Sequence, residues 1–478
     1  MKKTNLVLLL ALLLLASACG EAGTAVTDDT TAAPDTEPAV ETDYLDTIKT
    51  DKFSGKTLRI LDANDHPDMH VNIPLEEQNG DVTNDALWKR DRLVEDTFGI
   101  EIEYTQVGSK GSGAKTGTGQ LNQAVLAGDD ICDYVISCLL GGALQNSATS
   151  GVLMNLLDLE GANLTEPWWS AQMYDTFRLN DAMFFTTGDI ATSMYQACST
   201  TFANSRLLDE YKITDDLLGI ALDGKWTIDK QIAITKDMNR DLNEDGVISM
   251  QDDFIGFYQA SGVIVGAGLR TVVLNDAHTA LELNFSDEKI INAVDKLKAV
   301  ALSPANNAGN DGPKIMFKEG RLMFFSHPIE VAMSHFRDMA DDYIVLPSPK
   351  YNEAQESYIS NFSGWVDSFV GVPLTADAEF SGAMMEAMAY IGYRDIRPKV
   401  YELVYKQKAL RDERSGDVLD LCFNGAYSDF NIIYNFGGSY SVPANAINGT
   451  TELVSGLEAA RTSAESAIAD FVKTWNAD

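Results

Sequence analysis

The chain has 478 residues, 45% of them hydrophobic and 9% aromatic, and a formal net charge of −35 at pH 7. That is ample for a large core and too long for one typical domain, so two lobes are expected. So acidic a surface repels phosphate backbones, which argues against nucleic acid as a partner.

Met1-Lys2-Lys3 precedes an apolar run from Leu6 to Leu15, the charged and apolar parts of a signal peptide. The run is shorter than the roughly 20 residues that span a bilayer. It ends in Ala16-Ser17-Ala18-Cys19-Gly20, which resembles a bacterial lipobox: cleavage before Cys19 would leave that thiol to carry a diacylglycerol. The residue three places before the cysteine is Ala16 rather than the usual leucine. From Gly20 to Asp43 the chain is nearly all Thr, Ala, Asp, Glu, Pro and Gly without aromatics, so it cannot bury enough apolar surface to fold. It reads as a flexible tether with a reach of roughly 25–30 Å.

Lys56–Asp62 is predicted as a first strand and Thr83–Phe98 as a helix opened by a Thr or Asn cap. Ile100–Tyr104 alternates as a second strand, a helix follows around Gln120–Ala127, and Tyr134–Ser137 makes a third strand before a Gly-rich turn. Strands alternating with helices imply a mostly parallel sheet in an α/β lobe. The stretch from Gly108 to Gly119 lacks P-loop spacing and is expected to be a surface loop. Met183–Asp189 is predicted as a strand with a polar end, where the chain crosses to a second lobe. Arg321–Phe325 and Trp365–Pro373 return to strand character, and helices are expected from Ala376 to Tyr393 and from Arg397 to Lys406.

The segment Asp241-Leu242-Asn243-Glu244-Asp245-Gly246-Val247-Ile248-Ser249-Met250-Gln251-Asp252 has oxygen side chains at positions 1, 3 and 5, glycine at 6 and a carboxylate at 12. This is the spacing of an EF-hand-type calcium loop, with ligands expected from Asp241, Asn243, Asp245, the Val247 carbonyl, Ser249 and Asp252. Asp at position 12 resembles dockerin-like loops. With a helix over Thr227–Arg240 but no second loop, the expected role of the calcium is structural. Cys132, Cys138, Cys198 and Cys422 lie in apolar surroundings without CxxC or metal-ligand spacing and read as buried thiols. His66 and His70 are four apart, but Pro67 between them disfavours a shared helical face, so no zinc site is expected.

The order of these elements, with Gly224-Lys225-Trp226-Thr227-Ile228-Asp229, Met323-Phe324-Phe325, Asp342-Tyr343-Ile344-Val345-Leu346-Pro347 and Arg411-Asp412-Glu413, resembles the extracellular solute-binding lipoproteins of ABC importers, in the family that takes up sugars. The resemblance runs from about residue 55 to 440. It implies an α/β, two-lobed periplasmic-binding-protein-like fold with a ligand cleft between the lobes, and delivery of the ligand to an ABC permease. The corresponding division is 1–18 signal peptide, 19–52 lipidated cysteine and acidic linker, 53–185 first lobe, 186–365 second lobe, 366–395 return to the first lobe, and 396–478 second lobe again. A monomer, lipid-anchored on the extracellular face of the cell membrane, is expected.

A sugar offers hydroxyl edges and apolar C–H faces, so its site wants aromatic plates beside carboxylates and amides. At strand ends and crossovers that demand is met by Asp65, Asp189, Tyr195, Trp365 and Asp367, with Trp169 after Pro167 as a further aromatic. For each aromatic the competing role is core packing, and for each aspartate a cap or turn. The alternative function is a surface-anchored glycoside hydrolase or other polysaccharide-active enzyme, which would need two carboxyl groups about 5–10 Å apart. No GxSxG nucleophile motif or metal frame accompanies it.

Overall fold

The computed structural model describes residues 43–64, 71–107, 113–139, 143–258, 261–298, 300 and 311–476. Cys19, the signal and tether segments, Asp65, His66 and His70 lie outside the described residues. From Tyr44 onward the chain gathers into one compact unit.

In chain order the strands are β1 (Thr57–Asp62), β2 (Glu101–Gln106), β3 (Tyr134–Ser137), β4 (Ser199–Asn204), β5 (Ile255–Tyr258), β6 (Val272–Leu274), β7 (Leu281–Leu283), β8 (Leu322–Pro328), β9 (Tyr343–Leu346), β10 (Ser360–Asn361), β11 (Phe369–Gly371) and β12 (Ala426–Tyr427). One four-stranded sheet has the order β11-β3-β1-β2 and another the order β5-β8-β4-β9. Each forms the centre of one α/β lobe. In the first sheet β1 and β3 are buried because Leu58, Ile60, Leu61, Val135 and Ile136 are apolar, while Arg59 is held at the rim by Asp130 and Asp133. On the second sheet Phe202, Phe325 and Tyr343 pack ring against ring with Phe317 and Phe336 from the segments that cover it.

Several local expectations change. The helix Val82–Phe98 is capped by Asp81, whose carboxylate accepts from the Thr83 and Asn84 N–H groups, rather than by Thr or Asn. The Gly108–Gly119 stretch is not wholly a loop, since a helix starts at Gly113 and runs to Ala127. Met183–Asp189 forms no regular strand; it is held by single bridges, Thr186 to Val370 and Gly188 to Trp169. The helix before the acidic loop stops at Thr235, not Arg240. After Ile391 the helix Ala378–Ile391 widens into π-type turns over Gly392–Ile396 and Pro398–Ala409.

The segment 396–478 is not confined to the second lobe. Its last helix, Leu453–Trp475, ends with the Trp475 indole edge-on against Phe184 and Phe185 and donating to the Ala182 carbonyl. A buried aromatic of this size is worth about 3–5 kcal/mol on truncation to alanine.

Two segments carry the chain between the sheets, 186–198 outward and 362–368 back. They pair at Cys198 and Phe362, and the Ser363 N–H donates to the Ala197 carbonyl (3.0 Å). The first crossing is clamped by Asp189, fully buried, in a two-pronged ion pair with Arg397 (2.8 and 2.6 Å) and accepting from the Tyr195 hydroxyl. Gly392 lies so close that any Cβ there would overlap the Asp189 carbonyl oxygen. Only glycine lets the π-turned helix approach the crossing.

Candidate functional site

Both sheets aim the same kind of edge at the crossings. Strands β1 and β3 are parallel and β11 antiparallel to β3, with Asp62 opposite Ile136, Ile136 opposite Val370 and Ser137 opposite Phe369. The carboxyl ends of β1 and β3 therefore share an edge with the start of β11, where Asp367 and Ser368 lie. In the second sheet β5 runs parallel to β8, Ser199 at the start of β4 pairs with Pro328 at the end of β8, and β9 ends beside Thr201. That edge carries Tyr258, Ser326-His327-Pro328 and Leu346-Pro347-Ser348. Ligands of open α/β sheets bind outside the carboxyl ends of the strands, so the seam between these edges is the candidate site.

At the first edge a polar network is built into the backbone. The Asn64 amide and backbone N–H both donate to Asp62 Oδ1 (2.8 and 3.0 Å). Asn72 Nδ2 donates to Ser368 Oγ (3.0 Å), the Ser368 N–H donates to Ser193 Oγ (2.9 Å), and Ser193 Oγ donates to Asp367 Oδ1 (3.2 Å). Behind it Arg90, itself buried, donates to the Ile190 and Asn72 carbonyls and to Asp91, tying the helix Val82–Phe98 to the crossing. Four oxygens of this network are buried without a hydrogen-bond partner: Asp62 Oδ2, Asn64 Oδ1, Asn72 Oδ1 and Asp367 Oδ2. Burial pushes the Asp62 carboxyl up to about 6, against hydrogen bonds from Asn64, and the Asp367 carboxyl up to about 8, against the hydrogen bond from Ser193. At the second edge Ser326 Oγ and Ser348 Oγ are likewise buried and unpartnered, and burial drives His327 down to about 4.

The six residues expected to meet a ligand fall into different roles. Trp365 lies in the returning crossing at 37% exposure and is the one exposed aromatic among the described residues. Asp367 is two residues on, in the polar network. Asp189 and Tyr195 are brought together, but their polar atoms are spent on each other and on Arg397, so they hold the crossing in place. Trp169 is buried in the first lobe: its indole N–H donates to one oxygen of Glu386 (3.0 Å) while Trp168 donates to the other (3.1 Å). The adjacent indoles share one carboxylate, which also accepts from the Tyr44 hydroxyl. Asp65 lies outside the described residues. Missed in the sequence were Asp62, Asn64, Asn72 and Ser193. A carboxylate ending an otherwise buried strand was the available signal for Asp62; the other three carry none.

The acidic loop is closed at its base by an Arg240–Phe254 bridge, just before β5 begins at Ile255. Glu244 and Gly246 take positive φ (59° and 83°), the Gly246 N–H donates to Asp241 Oδ2 (2.8 Å), and Asp241 Oδ1 is buried without a partner. Asp253 fastens the loop, accepting from the Leu242 and Ser249 N–H groups (2.7 and 2.6 Å). Among the described residues no three His, Cys, Asp or Glu side chains converge as a metal-holding group. The loop thus has the turn of a calcium loop without its carboxylates gathered. Cys132, Cys138, Cys198 and Cys422 are buried and are not joined in disulfides.

Because Asp367 holds its proton in the folded state to about pH 8 but ionises near pH 4 when unfolded, folding stability falls as pH rises through that window and levels off above it. Asp367→Asn removes this proton. The melting temperature of the variant relative to the parent should rise steadily from pH 4 to pH 8; a difference that stays constant with pH would show that Asp367 does not hold its proton.

No family model matches the chain, and no curated protein sequence matches it. Solved structures do. The galacto-N-biose-/lacto-N-biose I-binding protein of the ABC transporter from Bifidobacterium longum aligns with a TM-score of 0.55 at 14% identity, over 88% of this chain and 99% of its own. The cyclic α-maltosyl-1,6-maltose binding protein from Arthrobacter globiformis gives 0.54 at 13%, over 87% and 99%. The ABC substrate-binding protein Lmo0181 from Listeria monocytogenes, solved with cycloalternan, gives 0.52 at 14%, over 87% and 100%. The fold is therefore the two-lobed α/β fold of ABC solute-binding proteins, spanning nearly the full length of each.

Proposed function

We propose that the chain captures a carbohydrate in the seam between its lobes and delivers it to an ABC permease. The observation that carries this reading is Trp365, an exposed indole in a crossing segment, set beside strand ends whose buried oxygens lack partners. An indole face stacks on the C–H face of a sugar, the Asp62, Asn64 and Asn72 oxygens accept its hydroxyls, and the protonated Asp367 carboxyl donates to one. The proteins that share the fold are named as binders of lacto-N-biose, a cyclic maltosyl-maltose and cycloalternan, which supports the same class of ligand. A glycoside hydrolase would place two carboxyl groups on either side of the scissile bond; Asp62 and Asp367 instead sit on one edge of one sheet.

The lipobox-like ending at Cys19 and the acidic tether support a lipid anchor on the outer face of the membrane, and the body acting there as a monomer. Among the described residues no helix is long and apolar enough to cross a membrane. For the acidic loop we propose a structural calcium ion held by Asp241, Asn243, Asp245, the Val247 carbonyl, Ser249 and Asp252. The positive-φ turn and the unpartnered Asp241 Oδ1 support it, and binding only to the folded form would add stability by mass action.

Three measurements follow. Calorimetric titration with a panel of neutral sugars and oligosaccharides should find binding without turnover, weakened about tenfold or more by Trp365→Ala; hydrolysis of any member, or unchanged affinity in the variant, would count against the site. Heating with and without a chelator should lower the melting temperature in the chelator, whereas an unchanged value with no metal by mass spectrometry rules out the ion. In a bacterial host the parent should partition with detergent and Cys19→Ala with the aqueous phase; identical partitioning would rule out the anchor.

A further inference from the structure

A cavity of about 240 Å³ lies where three separate parts of the chain meet: helix Ala171–Phe177 of the first lobe, the β6–β7 hairpin, and the segment that follows β12. Among the described residues, none of the strand ends that define the seam lines it. Val272 and Leu274, two apart on β6, share a face, and Leu281 pairs with Leu274 across the hairpin, so these side chains and Phe430 give the cavity an apolar wall. The hairpin tip is fixed in place. The Asn275 side-chain oxygen accepts from the Thr279 and Ala280 N–H groups (2.8 and 3.2 Å), His278 takes a left-handed φ of 55°, and its carbonyl accepts from the Asn180 N–H of the first lobe (2.8 Å).

That tip presents Asp276 and His278 to the cavity, and the helix presents Asp175 from a different wall. Both aspartates are exposed, and among the described residues neither makes a hydrogen bond or ion pair. His278 Nδ1 is buried without a partner. The third carboxylate of the lining, Asp429, is already engaged, accepting from the Tyr427 hydroxyl (2.9 Å) and the Ile432 N–H (2.8 Å). No lysine or arginine is among the lining residues. Two arginines stand near and both are turned elsewhere: Arg270 to the Tyr427 face (3.9 Å) and Asp429 (3.6 Å), Arg178 to the Tyr174 ring (5.2 Å) and Asp181 (3.8 Å). A concave site with charge of one sign draws in the opposite charge, and a buried ring nitrogen without a partner favours a ligand that brings a donor.

We propose that this cavity is a second binding site, for a small organic amine whose ammonium group meets Asp175 and Asp276 and whose carbon body lies against Val272, Leu274 and Leu281. The volume sets the size of the ligand: it falls below the range of about 300–1,000 Å³ that takes drug-sized molecules, so an alkyl amine or diamine fits and an oligosaccharide does not. The apolar wall is what separates such a ligand from a bare cation, which would gain nothing from it. Neither Trp365 nor the polar network of the seam takes part, so this site and the saccharide reading stand or fall separately.

The test compares amines with alcohols of the same shape. Full-length protein at about pH 8, where an alkyl amine is still protonated, is titrated with butylamine, cyclohexylamine and putrescine, and with butanol, cyclohexanol and butanediol, and binding is read by ligand-observed NMR. At least one amine should bind tenfold or more tighter than its alcohol. Asp175→Asn combined with Asp276→Asn should remove that preference, and Leu281→Phe, which narrows the cavity without touching either carboxylate, should weaken the amine severalfold. Trp365→Ala should leave amine binding as it was. Amines that bind no better than alcohols, or not at all, overturn the site. So does a preference that survives the paired substitution, which is what diffuse attraction to an acidic surface would give, or an affinity unmoved by Leu281→Phe. Loss of amine binding in Trp365→Ala would place the amine in the seam and overturn the second site.

Discussion

The pairing of Asp189 with Arg397 is the contact on which the two-lobed arrangement rests. The outgoing crossing has little ladder of its own: between Met183 and Cys198 the backbone makes isolated bridges rather than a strand. What fixes it is a fully buried carboxylate held by both prongs of a guanidinium from the π-turned helix and by the Tyr195 hydroxyl. Burial alone would drive Asp189 to the neutral form, and despite Arg397 its carboxyl is still lifted to about 6. A pair of this kind is costly to create and costly to break: loss of one partner strands a buried charge, at about 3–5 kcal/mol. Its value is positional. It sets the crossing where Gly392 can touch it and where Ser193, four residues on, reaches Asp367.

From that position the site follows. Helix Val82–Phe98 reaches the same crossing through Arg90, whose bonds to Ile190 and Asn72 lock the loop carrying Asn72 against Ser368. The returning crossing then places Asp367 inside the network and leaves Trp365, two residues earlier in an irregular turn, exposed. A rigid polar floor and an accessible aromatic plate thus come from one short segment, with the second sheet directing its own strand ends toward them.

How much of this could be read beforehand depends on range. Strands β1 and β3 were legible because runs such as Leu58-Arg59-Ile60-Leu61 and Tyr134-Val135-Ile136 leave few alternatives, and the order of elements carried the two-lobed fold. Trp365 and Asp367 were placed near a crossover by the break in that pattern. Asp189 and Trp169 were assigned to a ligand because their partners, Arg397 and Glu386, lie more than 200 residues away, and sequence spacing holds no record of such pairs. The strand expected at Met183–Asp189 failed for a related reason: the neighbours that receive this segment are the Trp168-Trp169 turn and β11 through single bridges, not a continuous partner strand. Within the acidic loop the turn was legible from Gly246, while the role of Asp253, which accepts from the Leu242 and Ser249 N–H groups, carries no sequence signal.

The central claim, that the strand ends of two lobes close on a saccharide, is tested most directly by small-angle X-ray scattering on the full-length protein with and without a saturating saccharide identified by titration. The account predicts a smaller radius of gyration in the bound state, together with a change in indole fluorescence that Trp365→Phe abolishes. An unchanged radius of gyration and unchanged fluorescence at saturation would contradict it.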